Sequence, residues 1–431
     1  MTYAEAIQCL YHLGLFGAKL GLENTFRLAE LAGNPQDALR FIHVAGTNGK
    51  GSTCAMLESI YRRTGLRVGL FTSPHLVAFG ERIQVNRQPM AEADIIRLVS
   101  EMQSLMTHFA ESAHPTFFEV VTVMALRYFA EQRCDLVLWE TGLGGRLDAT
   151  NIVSPMASVI TNVQFDHQQW LGESLAQIAG EKAGIIKPRT PVITATDVPA
   201  ALDVIRQTAR EKAAPLTLVA RSEAHLPPLS AIQLPLRGDH QRLNAALALA
   251  TVRTLDSSIP VTDKAIQQGL EQVCWSGRFQ VETTASGQTL LLDGAHNPAG
   301  AGTLRATLRE HFPQAQPTLI LGILRDKDWT TMCEILAPLA RRILLVPVHS
   351  GRTALPEELK AVCHQVNPQA TVEVCSSLPE ALEHAAKDPF IVLAGSLYLV
   401  GEAMERLNLS PASPPNERGL NEWGGESLKT A

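Results

Sequence analysis

The chain has 431 residues, room for two or three domains at roughly 100 to 200 residues each, which excludes a single small disulfide-stapled module. Hydrophobic residues make up 45% and charged residues 19%, with 30 Gly and 25 Pro, a composition that excludes disorder as the main state. Lys and Arg number 37 against 43 Asp and Glu, a net charge of -6, so there is no basic footprint for nucleic acid and any bound anion must be held locally.

The opening MTYAEAIQCLYHLG lacks a basic stretch followed by an apolar core, and no apolar run approaches the ~18 to 20 residues of a membrane span. The seven cysteines are odd in number and none forms a Cys-x-x-Cys pair, as expected for free thiols in a reducing compartment. Both observations predict a cytoplasmic protein with no membrane partner. From residue 41 short β-branched runs alternate with helix-period stretches. FIHVA (41–45), RVGLF (67–71), DLVLWE (135–140), ASVIT (157–161) and PVITA (191–195) read as strands, and 51–63, 91–112, 116–132 and 174–184 as helices. Residues 239–273 add two helices, and the SGRF turn follows. The alternation then restarts: QTLLLDG, a helix from 299 to 311, PTLILGIL, a helix at 329–340, RRILLVPV, a helix at 356–366, TVEV, a helix at 378–387 and PFIVLAG. This pattern predicts an α/β protein of two doubly wound domains: a larger P-loop ATPase-like domain over 1–276 and a smaller Rossmann-like domain over 277–408. Residues 409–431, rich in Pro, Ser, Gly and Asn, are expected to be a disordered tail.

The most specific motif is GTNGKGST at 46–53, between a strand and a helix. Glycines let backbone N–H groups close on phosphate oxygens, the helix N-terminus adds its dipole, and Lys50 reaches the outer phosphates. The strict template has Gly where Val44 stands and Ser or Thr where Gly51 stands, so this is a P-loop variant. Three more loops follow strands and carry Ser73 (FTSPH), Glu140 (LWETGLGGRLDATN) and Asp166 with His167 (TNVQFDHQQWLG). A hydroxyl, a carboxylate and an imidazole beside bound phosphates suit magnesium, which keeps several waters. In GEKAGIIKP, by contrast, the local pattern around Lys182 reads as a solvated helix face. In the second domain LLLDGAHNPAG places Asp293, His296 and Asn297 at a strand end and Pro298 at a first helical position, suited to ribose, base or phosphate contacts. GILRDKD (322–328) is expected beside it.

Taken in order, GTNGKGST, FTSPHL, TGLGGRLDATN, FDHQQWLG with GEKAGIIKP, GDHQRLNAALA, SGRF and LDGAHNP resemble the folylpolyglutamate synthase and dihydrofolate synthase family of the Mur ligase superfamily, over residues 20 to about 400. The resemblance implies an ATP-dependent amide ligase that couples dihydropteroate, or the γ-carboxylate of a reduced folate, to L-glutamate through an acyl phosphate. It implies ATP contacts from Gly46, Thr47, Asn48, Gly49, Lys50, Gly51 and Ser52, with Asn244, Arg278, Asp293, His296 and Asn297 completing the nucleotide site between the domains. Ser73 and Glu140 would hold one magnesium ion and His167 a second, with Ser52 a further candidate ligand and a monovalent cation a further candidate cofactor. Lys182 matches a lysine that the family carbamylates, which reverses the local reading: Lys50, His167 and Lys182 become the catalytic set. Leu20 to Asn24, Thr116, Phe117, Phe118, Glu119, Leu147, Asp148 and Ala149 match the pterin pocket. For deprotonating the glutamate amine, His167, Asp166 and a metal-bound hydroxide stay open.

The intact Asp148 in DATN points to a bifunctional enzyme; the alternative is a monofunctional folylpolyglutamate synthase. A cell-wall precursor ligase carries a UDP-binding domain before its P-loop, whereas 45 residues precede Gly46, short of a ~100-residue domain. From another class, a nucleotide-binding regulatory protein would bind ATP with no dependence on glutamate. The expected partners are small molecules, with no nucleic acid, and the family implies a monomer.

Overall fold

The structure, a computed structural model, describes residues 1–14, 21–110, 113–284, 286–409 and 417. The chain divides into two compact units, the first made of 1–235, 241–274 and 414–431, the second of 236–240 and 275–413.

The first unit is built on an eight-stranded sheet: β1 (Phe41–Ala45), β2 (Val68–Phe71), β3 (Ile83–Val85), β4 (Gln88–Pro89), β5 (Leu136–Glu140), β6 (Ala157–Ile160), β7 (Val192–Thr194) and β8 (Leu216–Leu218). Their spatial order is β4-β3-β2-β5-β1-β6-β7-β8. Only the edge hairpin departs from parallel pairing, β3 running against β2 and β4 against β3. Parallel strands covered on both faces need continuous apolar runs, and β1, β2, β5 and β6 are buried at every residue. The helices are α1 (Tyr3–Gly14), α2 (Glu23–Leu31), α3 (Lys50–Arg62), α4 (Glu92–Met106), α5 (Phe117–Glu131), α6 (Gln168–Leu171), α7 (Leu175–Ala183), α8 (Pro199–Glu211), α9 (Asp239–Thr254) and α10 (Asp263–Glu271). One core gathers α1, α2, α4 and α5 around Phe71, Phe129 and Trp139. A second packs α7 and α8 against Ala45, Ile160 and Val192. At Gly269 of α10 a Cβ would lie 2.5 Å from the Ile60 backbone, so the missing side chain lets α10 settle on α3.

The second unit carries β9 (Gln280–Thr283), β10 (Thr289–Leu292), β11 (Thr318–Leu321), β12 (Arg342–Leu345), β13 (Thr371–Val374) and β14 (Phe390–Ala394), in the order β13-β12-β11-β14-β10-β9. All pairs are parallel except β9 against β10. Its helices are α11 (Pro298–His311), α12 (Trp329–Leu336), α13 (Pro356–Val366), α14 (Leu378–His384) and α15 (Leu397–Arg406).

Several expectations need correcting. The helix expected over 91–112 ends at Met106, and Glu111 and Ser112 lie outside the described residues. The helix expected to 387 stops at His384, and that expected to 340 gives way after Leu336 to a 3₁₀ turn containing Pro338, which has no N–H to continue the α pattern. The tail expected over 409–431 lies outside the described residues except at Leu409 and Glu417. Glu417 is 1% exposed, its carbonyl is 3.0 Å from His75 Nε2, and its Oε2 accepts from the Phe79 N–H.

Candidate active site

Because β1 lies between β5 and β6, the loops after these three strands emerge side by side at the carboxyl edge of the sheet, where open α/β sheets bind ligands. The phosphate loop follows β1. Gly46 and Gly49 have φ of 153° and 83°, and a Cβ at either would meet Thr161 Oγ1 at 1.8 Å or Asn244 Oδ1 at 2.6 Å, so only glycine fits. The loop is tied to the segment after β6. Thr47 N donates to Asn162 O (3.0 Å), Asn48 N to Asn162 Oδ1 (2.9 Å) and Thr161 Oγ1 to Asn48 O (2.7 Å). Helix α3 starts at Lys50 with Gly49 at the N-cap and no side chain capping it. Lys50 Nζ folds back onto Gly46 O (3.2 Å) and Thr47 O (3.3 Å). Gln241, which the sequence reading passed over although it lies in GDHQRLN, joins two expected residues: its amide donates to Ser52 Oγ (3.2 Å) and its Oε1 accepts from Asn244 Nδ2 (3.1 Å).

Glu140 ends β5 and is 4% exposed; its field and that of Lys50 both act on the buried Cys54 thiol, in opposite directions. Ser73 is half-buried in the loop after β2, the strand paired with β5. His167 precedes α6 in a left-handed conformation (φ 51°), its N–H donating to Asp166 Oδ1 (2.9 Å) and its Nε2 3.8 Å from the same oxygen. Among the described residues no three His, Cys, Asp or Glu side chains gather as a metal cluster.

Lys182 is 2% exposed, not on a solvated face. The reason is a close helix–loop approach that the local pattern does not contain. At Gly145 a Cβ would lie 2.9 Å from Glu181 O, and at Gly184 2.3 Å from Arg146 Cβ, so two glycines let α7 press in. Lys182 Nζ then reaches Gly46 O at 3.0 Å, beneath the phosphate loop. Burial, and next the charge of Lys50, pull its pKa down to about 7 against the opposing fields of Asp166, Asp148 and Glu181. Lys182 thus ties α7 to the loop after β1.

Thr116 and Glu119 close a capping box at the start of α5, Glu119 Oε2 accepting from Thr116 N (2.7 Å) and Oγ1 (2.9 Å). Phe118 packs on Gly142 and lies 6.0 Å from Phe71. Phe117 lies 6.4 Å from Phe79 and 5.3 Å from the Arg82 guanidinium carbon. Of the 20–24 segment, Leu20 is outside the described residues, and the neighbouring Thr25 reaches Glu119 Oε1 at 3.5 Å. Leu147 is half-buried and Ala149 buried. Asp148 is 5% exposed: Oδ2 accepts from Leu143 N (2.7 Å) and Oδ1 from Thr150 N (3.1 Å), while burial raises its carboxyl pKa.

In the second unit, Asp293 joins the SGRF turn to its own loop, accepting from Phe279 N (2.8 Å) and Ala295 N (2.9 Å). Burial raises its pKa and Arg278 opposes that rise. A Cβ on Gly294 would lie 2.7 Å from Arg278 Nη1, so the guanidinium rests on the loop backbone. His296 Nδ1 is 2.8 Å from Gly294 O. Asn297 caps α11 by accepting from Gly300 N (2.8 Å), with Pro298 in the first turn as the sequence predicts. GILRDKD is one strand removed from this loop: β14 intervenes, Gly395 N donating to Ala295 O (3.0 Å).

Two family models match the chain: the Mur ligase middle domain over residues 44–252 and the Mur ligase glutamate ligase domain over residues 277–397. The chain is 34% identical to the dihydrofolate synthase/folylpolyglutamate synthase of Bacillus subtilis, covering 94% of this chain and 99% of that protein. It is 33% identical to the Escherichia coli protein of the same name, over 90% and 91%. Among solved structures, Mycobacterium tuberculosis folylpolyglutamate synthase complexed with ADP and AMPPCP superposes with a TM-score of 0.86 at 30% identity, over 96% and 100%. Escherichia coli FolC in complex with DHPP and ADP gives 0.84 at 31%, over 95% and 98%.

Proposed function

The chain belongs to the folylpolyglutamate synthase and dihydrofolate synthase family of Mur ligases, ATP-dependent enzymes that ligate glutamate to folates, and from that membership we propose that it acts on both dihydropteroate and reduced folates. The observation that carries the reading is the uncapped phosphate loop, with Lys50 lying on it and the buried Lys182 beneath.

A carboxylate is a poor electrophile at neutral pH. The acceptor carboxylate therefore attacks the γ-phosphorus of ATP in line, forming an acyl phosphate and releasing ADP. The amine of L-glutamate then attacks the acyl carbon, and phosphate leaves with the electron pair of the C–O bond. Positioning and electrostatics supply most of the catalysis in such a transfer. The N–H groups of Gly49, Lys50, Gly51 and Ser52 at the open start of α3 receive the phosphates, and Lys50 exchanges its loop carbonyls for the outer phosphate oxygens. The remaining nucleotide contacts are assigned to Asn244, Arg278, Asp293, His296 and Asn297. Thr116, Phe117, Phe118, Glu119, Leu147, Asp148 and Ala149 form the pterin pocket.

The donor set assigned to magnesium is Ser73, Glu140 and His167, with Ser52 and a carbamylated Lys182: Glu140 is buried at the end of β5, and hydroxyl, carboxylate and carbamate oxygens are the donors that a hard cation takes beside bound phosphates. When bound, it supplies charge neutralisation on the transferring phosphoryl group. An amine whose pKa is pulled to about 7 is substantially unprotonated at neutral pH, the form whose nitrogen adds to the carbon of carbon dioxide and, losing a proton, becomes a carbamate. Among this chain's own side chains, the candidates for taking the proton of the glutamate ammonium group are Asp166 and His167. Among the described residues no helix is long and apolar enough to cross a membrane, and the seven cysteines are unpaired.

The test is a competition between acceptors. If one site serves both reactions, dihydropteroate and a reduced folate each inhibit the other competitively, with an inhibition constant equal to the inhibitor's own KM. Turnover with reduced folates alone reduces the reading to a polyglutamate synthase. ATP binding that neither acceptor nor glutamate couples to ADP release contradicts it in favour of a nucleotide-binding switch.

A further inference from the structure

Strand β1 reads Phe-Ile-His-Val-Ala from Phe41 to Ala45, and its third residue is the only polar side chain in a strand buried throughout. His43 is fully buried and therefore neutral, burial pulling its pKa down to about 3. An apolar residue here would need no partner. The imidazole brings two ring nitrogens, and its buried Nδ1 has no hydrogen-bond partner, which works against stability. His43 is therefore not in β1 for the sake of the sheet.

Its other nitrogen shows what it does. Nε2 lies 2.9 Å from Thr150 Oγ1, and the Thr150 hydroxyl also donates to Asp148 Oδ1, the oxygen that accepts from Thr150 N. A hydroxyl has a single hydrogen. Given to the carboxylate, it leaves the oxygen as acceptor, so Nε2 is the protonated nitrogen of His43 and Nδ1 the bare one. With a donor on one side, the Thr150 hydroxyl can turn its hydrogen only toward Asp148. The Trp139 indole N–H fixes the Thr150 carbonyl (2.9 Å), and Leu143 N holds the second carboxylate oxygen (2.7 Å). All of these side chains are buried.

We propose that His43 is a positioning residue for acceptor binding: through Thr150 it holds the Asp148 carboxylate in the orientation that receives the N–H donors of the pterin ring. This rests on the assignment of Asp148 to the pterin pocket made above. Neither His43 nor Thr150 touches substrate; both act through Asp148.

The experiment compares His43→Leu, Thr150→Val, Thr150→Ser and the double variant His43→Leu/Thr150→Val in steady-state turnover, varying dihydropteroate and ATP separately. Thr150→Val is expected to raise KM for dihydropteroate about tenfold and His43→Leu severalfold, with KM for ATP changed less than twofold and kcat affected less than KM. Thr150→Ser, which keeps the hydroxyl, should restore the acceptor KM. Because His43 acts through Thr150, the double variant should be no worse than Thr150→Val alone. Effects that multiply in the double variant, an unchanged acceptor KM, or a parallel rise in both KM values would overturn the proposal. If His43→Leu does not fold, His43→Gln, which keeps an N–H donor toward Thr150, should hold the acceptor KM near the wild-type value, and a severalfold rise in it would overturn the proposal. A wild-type protein without glutamate-dependent turnover would instead overturn the ligase reading, and dihydropteroate binding followed by fluorescence in the same variants would still judge the positioning role.

Discussion

The two units each carry a loop that leads from a central strand into a helix, and the loops are finished in opposite ways. At residues 46–50 the helix start is left open: Gly49, the N-cap, has no side chain to accept from the first turn, and Lys50 rests on its own loop. At residues 293–298 it is closed: Asn297 caps α11, Pro298 has no N–H to leave unpaired, and Asp293 takes the N–H groups of Phe279 and Ala295. The first N–H groups of a helix need partners from outside it. Left open they form an anion site; satisfied from within, they form a scaffold whose chemistry must come from side chains such as Arg278 and His296. Likeness in fold therefore does not carry likeness in binding mode.

Substitutions can break this contrast. Lys50→Ala should lower kcat by at least about a hundredfold, as removal of one charge-stabilising donor does, with the melting temperature unchanged because Lys50 bonds only loop carbonyls. Arg278→Ala, in the closed loop, should raise KM for ATP about tenfold through a lost charge-assisted contact and leave the acceptor KM unchanged; an unaltered ATP titration would remove Arg278 from the nucleotide site.

Acid sharpens the contrast in stability. His43 and His75 in the first unit and His240 in the second are held neutral by burial, His43 to a pKa of about 3 and His240 to about 4. Each takes a proton on unfolding, so the unfolded state binds more protons below about pH 6.5 and stability falls as pH falls, by about 1.4 kcal/mol per pH unit for each group until its folded pKa is reached. Calorimetry between pH 7 and pH 5 should show the first unit losing more stability than the second, and His43→Leu should flatten its slope by one proton. Smallest of all, Asn297→Ala should lower the stability of the second unit by about 1 kcal/mol in urea, the usual worth of an N-cap, while raising KM for ATP less than Arg278→Ala does.

What the sequence disclosed follows the same physics. β1, β5 and β6 were legible because strands buried on both faces must be apolar throughout, whereas β3, β4 and β8, with two or three residues each at or near a sheet edge, offer no such run. The start of α11 followed from Pro298 before a helix-period stretch, whereas Asn297, read as a ligand contact, proved to be the residue that caps it. Lys182 was misjudged by its local pattern because its burial is decided by Gly145 and Gly184, whose effect exists only once α7 has docked on the loop that contains Arg146. The resemblance to a ligase family corrected that reading, though not the oversight of Gln241 and His43, whose partners Ser52 and Thr150 are far away in sequence.

The central claim is that the open loop carries a glutamate ligase. Its most direct test is ADP release by the purified protein with ATP, magnesium, dihydropteroate and L-glutamate, with the product identified by mass, in the wild type and in Lys50→Ala. The account predicts release that requires both acceptor and glutamate, a product heavier by one glutamyl unit, and loss of both in a variant that melts like the wild type. Glutamate-independent release, or full activity without Lys50, would contradict it.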